Sequence, residues 1–206
     1  MAEDIIEMLD DEGIYEACLC GHSLGGKVAM VAALMAPERV SRLIVADIAP
    51  VTYGSSHDGW KANHVIMDAM TSLPEEAMSS RPTADAALAA AGIVEPGVRG
   101  FLLQNLLPEE RRFRFNLHAL RAAAKDGAPF AGFPDLPTAP RDLPVRVIAG
   151  RKSTYCNSPE HRDAIERFFP GAEPSTHMMD TGHWLHAEKP DEFVQLVDAF
   201  CVEGEA

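Results

Sequence analysis

Gly21-His22-Ser23-Leu24-Gly25 sets one serine between glycines placed two residues to either side. A serine hydroxyl is a poor nucleophile until a base takes its proton. The G-x-S-x-G pattern is the sequence form of a sharp strand-to-helix turn that lifts such a serine above the end of a sheet. The context suits that turn: "IYEACLC" (14–20) has the length and apolar character of a strand, and "LGGKVAMVAALMA" (24–36) is apolar nearly all round, as a buried helix is. The turn places Ser23 at a helix N-terminus, where free N–H groups and the helix dipole favour a developing anion. The N–H of Leu24, the residue after the serine, is then the expected oxyanion donor. A glycine-rich packing turn is the alternative reading.

A nucleophilic serine needs a histidine and an acid, each on a loop after a strand. Among the 8 histidines, His183 fits best: "DTGHWLHAEKP" follows the last strand candidate, and Gly182 permits a tight loop. His186, three residues on, is its rival. A metal site at His177, His183 and His186 lacks an HExxH pattern or a cysteine partner. The loop after the penultimate strand, "VIAGRKSTYCNS", holds no Asp or Glu between Gly150 and Ser158, and Glu160 and Asp163 fall inside the next helix, facing solvent. Asp47 in "VADIAP" closes an apolar strand at its C-terminal end, where open parallel sheets build their sites. An aspartate there needs a partner, and His183 is the candidate. The alternative for Asp47 is a cap on the loop before Pro50.

The elements that must carry these residues are legible as a rhythm. A helix is expected over 3–11, strands over 14–20, 42–48 and 144–150, a weaker strand over 173–179, and helices over 24–36, 158–169 and 189–201. Ser158 is the expected N-cap of its helix, with Pro159 at the first turn. Strand alternating with helix is the signature of a parallel sheet covered on both faces. Residues 54–140 break the rhythm with helical patterns near 60–72, 83–91, 98–107 and 115–124 and a proline-rich stretch over 129–144. The expected organisation is an α/β core of residues 1–53 and 141–206 with a helical cap insertion over 54–140.

Bulk composition removes several function classes. The 206 residues carry a formal net charge of −13, which repels nucleic acid. No apolar run reaches the roughly 18 residues of a membrane span. The acidic start "MAEDIIEMLDDEG" lacks the basic-then-apolar plan of a signal peptide, so a cytoplasmic location is expected. Cys18, Cys20, Cys156 and Cys201 show no zinc-like spacing and are expected as free, buried thiols of a reducing compartment.

"GHSLGGKVAM", "LIVADIAPVTY", "RFRFNLHAL" and "TGHWLHAEKP", in that order, resemble the small α/β-hydrolase-fold esterases of the bacterial YbfF type and their abhydrolase-domain relatives. The resemblance runs over nearly the whole chain. It implies the α/β-hydrolase fold with a helical cap, no cofactor, and Ser-His-Asp hydrolysis of short acyl esters or acyl thioesters by Ser23, His183 and Asp47. It implies Asn or Ser where other hydrolases keep the acid, as in "GRKSTYCN", and cap residues Phe115 and Asn116 facing the pocket. His22, Trp60 and Trp184 complete the expected substrate contacts, although cap residues such as Trp60, Phe113 and Phe115 at helical spacing also suit a plain cap core. The family's chains carry a further stretch before the elbow, with the first strands and a His-Gly loop that donates a second oxyanion N–H. The sequence therefore reads as N-terminally truncated, and its first strand as an exposed edge prone to self-association. A catalytically silent fragment that oligomerises or binds is the competing expectation.

Overall fold

The computed structural model describes residues 1–54, 56–124, 132–172 and 176–202. In chain order, helix α1 (Ala2–Asp11) leads to strand β1 (Ala17–His22), helix α2 (Leu24–Met35) and strand β2 (Val40–Ala46). Four helices follow, α3 (Asp58–Thr71), α4 (Arg81–Ala90), α5 (Pro96–Leu103) and α6 (Leu117–Ala123). Between α5 and α6 lies a small hairpin of β3 (Leu106–Leu107) and β4 (Arg112–Phe113). The chain then forms β5 (Val145–Gly150), α7 (Pro159–Phe168), β6 (His177–Met179), α8 (Leu185–Glu188) and α9 (Pro190–Val202). Contacts divide it into two compact units, Met1–Thr52 with Phe133–Ala206, and Tyr53–Gly132.

The first unit is built on a four-stranded sheet in the order β1-β2-β5-β6, every pair parallel. The central strands read as they must for burial on both faces: Leu43, Ile44, Val45 and Ala46 of β2 and Val145, Val147 and Ile148 of β5 are all buried. Each large apolar side chain so buried contributes about 1.5–3 kcal/mol. Phe193, Leu196, Val197 and Phe200 of α9 cover Ile44, Ala46, Ile148 and Met179. Ala139 donates its N–H to the Phe168 carbonyl at 2.8 Å, tying the proline-rich stretch to the sheet unit.

Register decides which residues share the C-terminal edge of this sheet. His22 pairs with Ala46, and Ala46 with Ile148. One residue further on, Ser23 N–H donates to the Ala46 carbonyl at 3.0 Å and Asp47 N–H to the Ile148 carbonyl at 2.8 Å. Ser23 and Asp47 therefore leave neighbouring strands side by side.

Strand boundaries differ from the sequence reading for local reasons. Gly13 at φ 67° turns the chain out of α1, Ile14 N–H caps back to the Leu9 carbonyl, and the Tyr15 carbonyl accepts from Arg39 Nε at 2.6 Å. The strand expected from Ile14 thus starts at Ala17. The strand expected to reach Ile48 stops at Ala46 because Asp47, at φ 53°, leaves the extended region. Residues 173–175 of the weak last strand lie outside the described residues; His177–Met179 of it form β6. Cys156 is buried, but Cys18 and Cys20 are exposed and Cys201 is half-buried, against the expectation of buried thiols. Among the described residues β1 is the outer strand of the sheet, and its alternation leaves these two thiols uncovered.

Helix α2 ends at Met35; its C-cap Ala36 precedes Pro37, where the extended region is preferred. Its one buried charge is Lys27, whose Nζ donates to the Val51 carbonyl at 2.8 Å. Burial lowers its pKa from 10.5 to about 8. Below pH 8 both folded and unfolded chains hold the proton, and the folded state bears the full cost of the buried charge. Between about 8 and 10.5 the unfolded chain binds a proton the folded chain has lost, so Lys27 makes stability rise with pH in that window. The unfolding free energy of the wild type minus that of Lys27→Met, from urea titrations, is expected to climb from pH 8 to 10.5. A flat difference would refute the shift.

The second unit has its own core, in which Met70, Leu73, Leu88, Leu102, Leu103 and Phe113 pack together. Arg99 spans α5 to α4 with Nε 2.8 Å from an Asp85 oxygen. The helix expected over 98–107 begins at Pro96 and stops at Leu103; Arg111, left-handed at φ 48°, closes the tight turn that folds β4 back on β3.

Candidate active site

Ser23 sits at φ 54°, ψ −121°, a conformation that L residues avoid, as N-cap of α2. Such backbone costs about 1–3 kcal/mol and persists only where its surroundings enforce it. The enforcement comes from the close pass of α2 over β1. A Cβ on Gly21 would lie 2.3 Å from the Gly25 carbonyl oxygen, and one on Gly26 would lie 2.6 Å from Ile48 Cγ2. A Cβ on Gly25, the second glycine of the sequence pattern, would meet nothing within 4 Å among the described residues. The required small residues are Gly21 and Gly26.

His183 lies on the loop between β6 and α8, with Nε2 3.0 Å from Ser23 Oγ and Nδ1 2.6 Å from Asp47 Oδ2. A carboxylate only accepts, so Nδ1 carries the hydrogen, and Nε2 offers its lone pair to the serine hydroxyl. Asp47 is wholly buried. Its Oδ1 accepts from Gly150 N–H at 2.8 Å, and its Oδ2 also accepts from the Ser153 hydroxyl. The end of β5 thus supplies a backbone N–H to Asp47, and the loop after it a hydroxyl rather than an acid of its own. Glu160 and Asp163 are exposed on α7.

The histidine loop is pinned by close backbone packing. A Cβ on Gly150 would come 2.1 Å from the Gly182 carbonyl oxygen. Both oxygens of Glu188 accept from Gly182 N–H, at 2.9 and 3.1 Å. The Tyr155 ring covers the His183 ring at 4.3 Å between centroids. Below, burial and the charge of Asp47 push the Cys156 thiol up to about 12, so it stays protonated. No group of three His, Cys, Asp or Glu suited to a metal occurs among the described residues.

Leu24 opens α2, so its N–H is among the four that a helix leaves without an intrahelical partner. Trp184 is half-buried, its ring 5.6 Å from that of His22 and 5.8 Å from that of His183. The Nε2 of His22 is committed to the His183 carbonyl at 2.8 Å. Trp60, Phe115 and Asn116 belong to the second unit. There Trp60 packs with Ala124, Phe115 stacks on Phe113 at 6.0 Å, and Asn116 caps α6 by accepting from Ala119 N–H at 3.0 Å. Sequence reasoning missed Glu188 and Tyr155, which act on the loop through a backbone N–H and a ring face.

Residues 1–196 match the family described as "Alpha/beta hydrolase family". The chain belongs to that family. The resemblance read from its four motifs is borne out. The chain is 37% identical over 203 residues to the mouse sn-1-specific diacylglycerol lipase ABHD11, covering 97% of this chain and 64% of that protein. It is 34% identical over 199 residues to the Escherichia coli esterase YbfF, covering 96% of this chain and 72% of that one. Among solved structures, a marine microorganism esterase superposes with a TM-score of 0.88 at 28% identity, over 97% of this chain and 75% of its own. The chain thus spans less than two thirds of the length of the mouse lipase. No helix among the described residues is long and apolar enough to cross a membrane.

Proposed function

We propose that this alpha/beta hydrolase cleaves carboxylic esters, and acyl thioesters by the same route, through an acyl-enzyme on Ser23. The hydrogen-bonded chain Ser23 Oγ to His183 Nε2, His183 Nδ1 to Asp47, is the observation that carries the reading. The names of the relatives, an esterase and a diacylglycerol lipase, agree with ester chemistry.

In the proposed cycle Ser23 Oγ attacks the carbonyl carbon while its proton passes to His183 Nε2. The carbonyl oxygen becomes an oxyanion at the N-terminus of α2, where Leu24 N–H donates to it. Collapse breaks the bond to the leaving alkoxide or thiolate, which takes the proton from His183. Water then attacks the acyl carbon with His183 as base, and the acid departs. Asp47 holds the tautomer and stabilises the imidazolium of each half-cycle. Trp184, beside His183, is the proposed apolar wall for the acyl group.

The test is covalent. Incubation with a fluorophosphonate is expected to add one phosphonyl group to the tryptic peptide bearing Ser23 and to stop hydrolysis of p-nitrophenyl butyrate in proportion. A label on any other residue, or full labelling with undiminished turnover, would overturn the proposal.

A further inference from the structure

His22 is the last residue of β1 and directly precedes Ser23. Its side chain crosses to the histidine loop, where Nε2 lies 2.8 Å from the carbonyl oxygen of His183. A carbonyl only accepts, so this nitrogen carries the hydrogen and donates it. We propose that His22 is a positioning residue for the general base, a clamp reaching from the nucleophile's turn to the main chain of His183. The inference rests on the reading of His183 as the base.

The clamp is one of two. Glu188 holds the Gly182 N–H on the other side of His183, at 2.9 and 3.1 Å. Asp47 and Ser23 bond only the ring of His183. His22 ties the peptide group that follows the His183 Cα, and Glu188 ties the Thr181–Gly182 peptide one residue before it, so the main chain of the loop is held as well as the imidazole. The requirement is geometric: a misplacement of about 1 Å at a reacting group can cost about 100-fold in rate. His22 also ties the two partners to each other. Any shift of the nucleophile's turn carries the base's loop with it.

The ring of His22 is suited to this place. It lies 4.7 Å from the His183 ring and 4.5 Å from the His186 ring, centroid to centroid. Burial first, and then the neighbouring His183, lower its pKa to about 4. It stays neutral at working pH and adds no second positive charge beside the imidazolium that forms on His183. The Nε2–H donor, not a charge, is what it contributes.

The experiment compares two variants that each keep half of the side chain. His22→Phe keeps a ring and loses the donor; His22→Gln loses the ring and keeps an amide N–H of the right reach. On p-nitrophenyl butyrate, His22→Phe is expected to lower kcat by about 10–100-fold with KM within about twofold, and His22→Gln to recover most of the loss. Circular dichroism and Tm confirm folding, and His22→Leu replaces the phenylalanine if the larger ring disturbs packing. Unchanged kcat in the donor-free variant, a glutamine variant no better than it, or a raised KM at unchanged kcat would each overturn the clamp. The last of these would make His22 a substrate contact. Ser23→Ala, assayed in parallel, separates the two levels: full activity there would overturn the nucleophile assignment on which the reading of His183 as base rests.

Discussion

Ser23→Ala is expected to lower kcat for p-nitrophenyl butyrate by about 10⁶-fold while leaving the protein folded, as nucleophile removal does in serine hydrolases. The fold should tolerate the change because the hydrogen bond lost is the one to His183 Nε2, while the backbone geometry is enforced by Gly21 and Gly26. Alanine keeps a Cβ at φ 54°, so it retains the strain of the turn. Glycine at position 23 is the informative companion. It is equally silent but adopts that backbone freely, so Ser23→Gly should exceed Ser23→Ala in unfolding free energy by about 1 kcal/mol or more. A residual rate within tenfold of wild type would place the nucleophile elsewhere. Equal stability of the two variants would mean that the turn stores no strain.

What could be read from the sequence depended on whether a residue's task is written in its own type. The meeting of Ser23, Asp47 and His183 could be anticipated because each closes or follows a strand and because glycine marks the turns. Strand alternating with helix was enough for the parallel sheet, and with it the shared edge for Ser23 and Asp47. Ser153 was legible only through the resemblance, which implies Asn or Ser in an acid-free loop; its own spacing does not show that its hydroxyl braces Asp47. The second signature glycine misled, since the crowding sits at Gly26 and depends on where Ile48 packs. His22 and Glu188 act on backbone carbonyl and N–H groups, which are not specific to a residue type, so no spacing rule points to them. The thiols of Cys18 and Cys20 were expected inside because their strand is apolar, but exposure depends on which elements lie over a strand.

The second large effect is expected from Asp47→Asn, which replaces one carboxylate oxygen by an NH₂ group and hardly alters the volume. Its amide oxygen can still accept from Gly150 N–H, and the Ser153 hydroxyl can turn to accept from the new NH₂. The structure should therefore hold. The change falls on His183. An amide NH₂ facing Nδ1 donates where the carboxylate accepted, so Nδ1 must present its lone pair and the ring proton moves to Nε2. Nε2 then donates toward Ser23 Oγ and cannot take the serine's proton. Loss of kcat by about 10⁴-fold at neutral pH is expected, the size of the wrong-tautomer effect in a Ser-His-Asp site. The fluorophosphonate labelling rate of Ser23 should fall in parallel, since it draws on the same base. Asp47→Ala is the counterpart that separates tautomer from packing. It removes the acceptor of Gly150, Ser153 and His183 at once, in a fully buried position, and should lower Tm as well as kcat. An asparagine variant with wild-type kcat would mean that Asp47 braces the fold around Gly150 and Ser153 and that His183 is oriented by other groups.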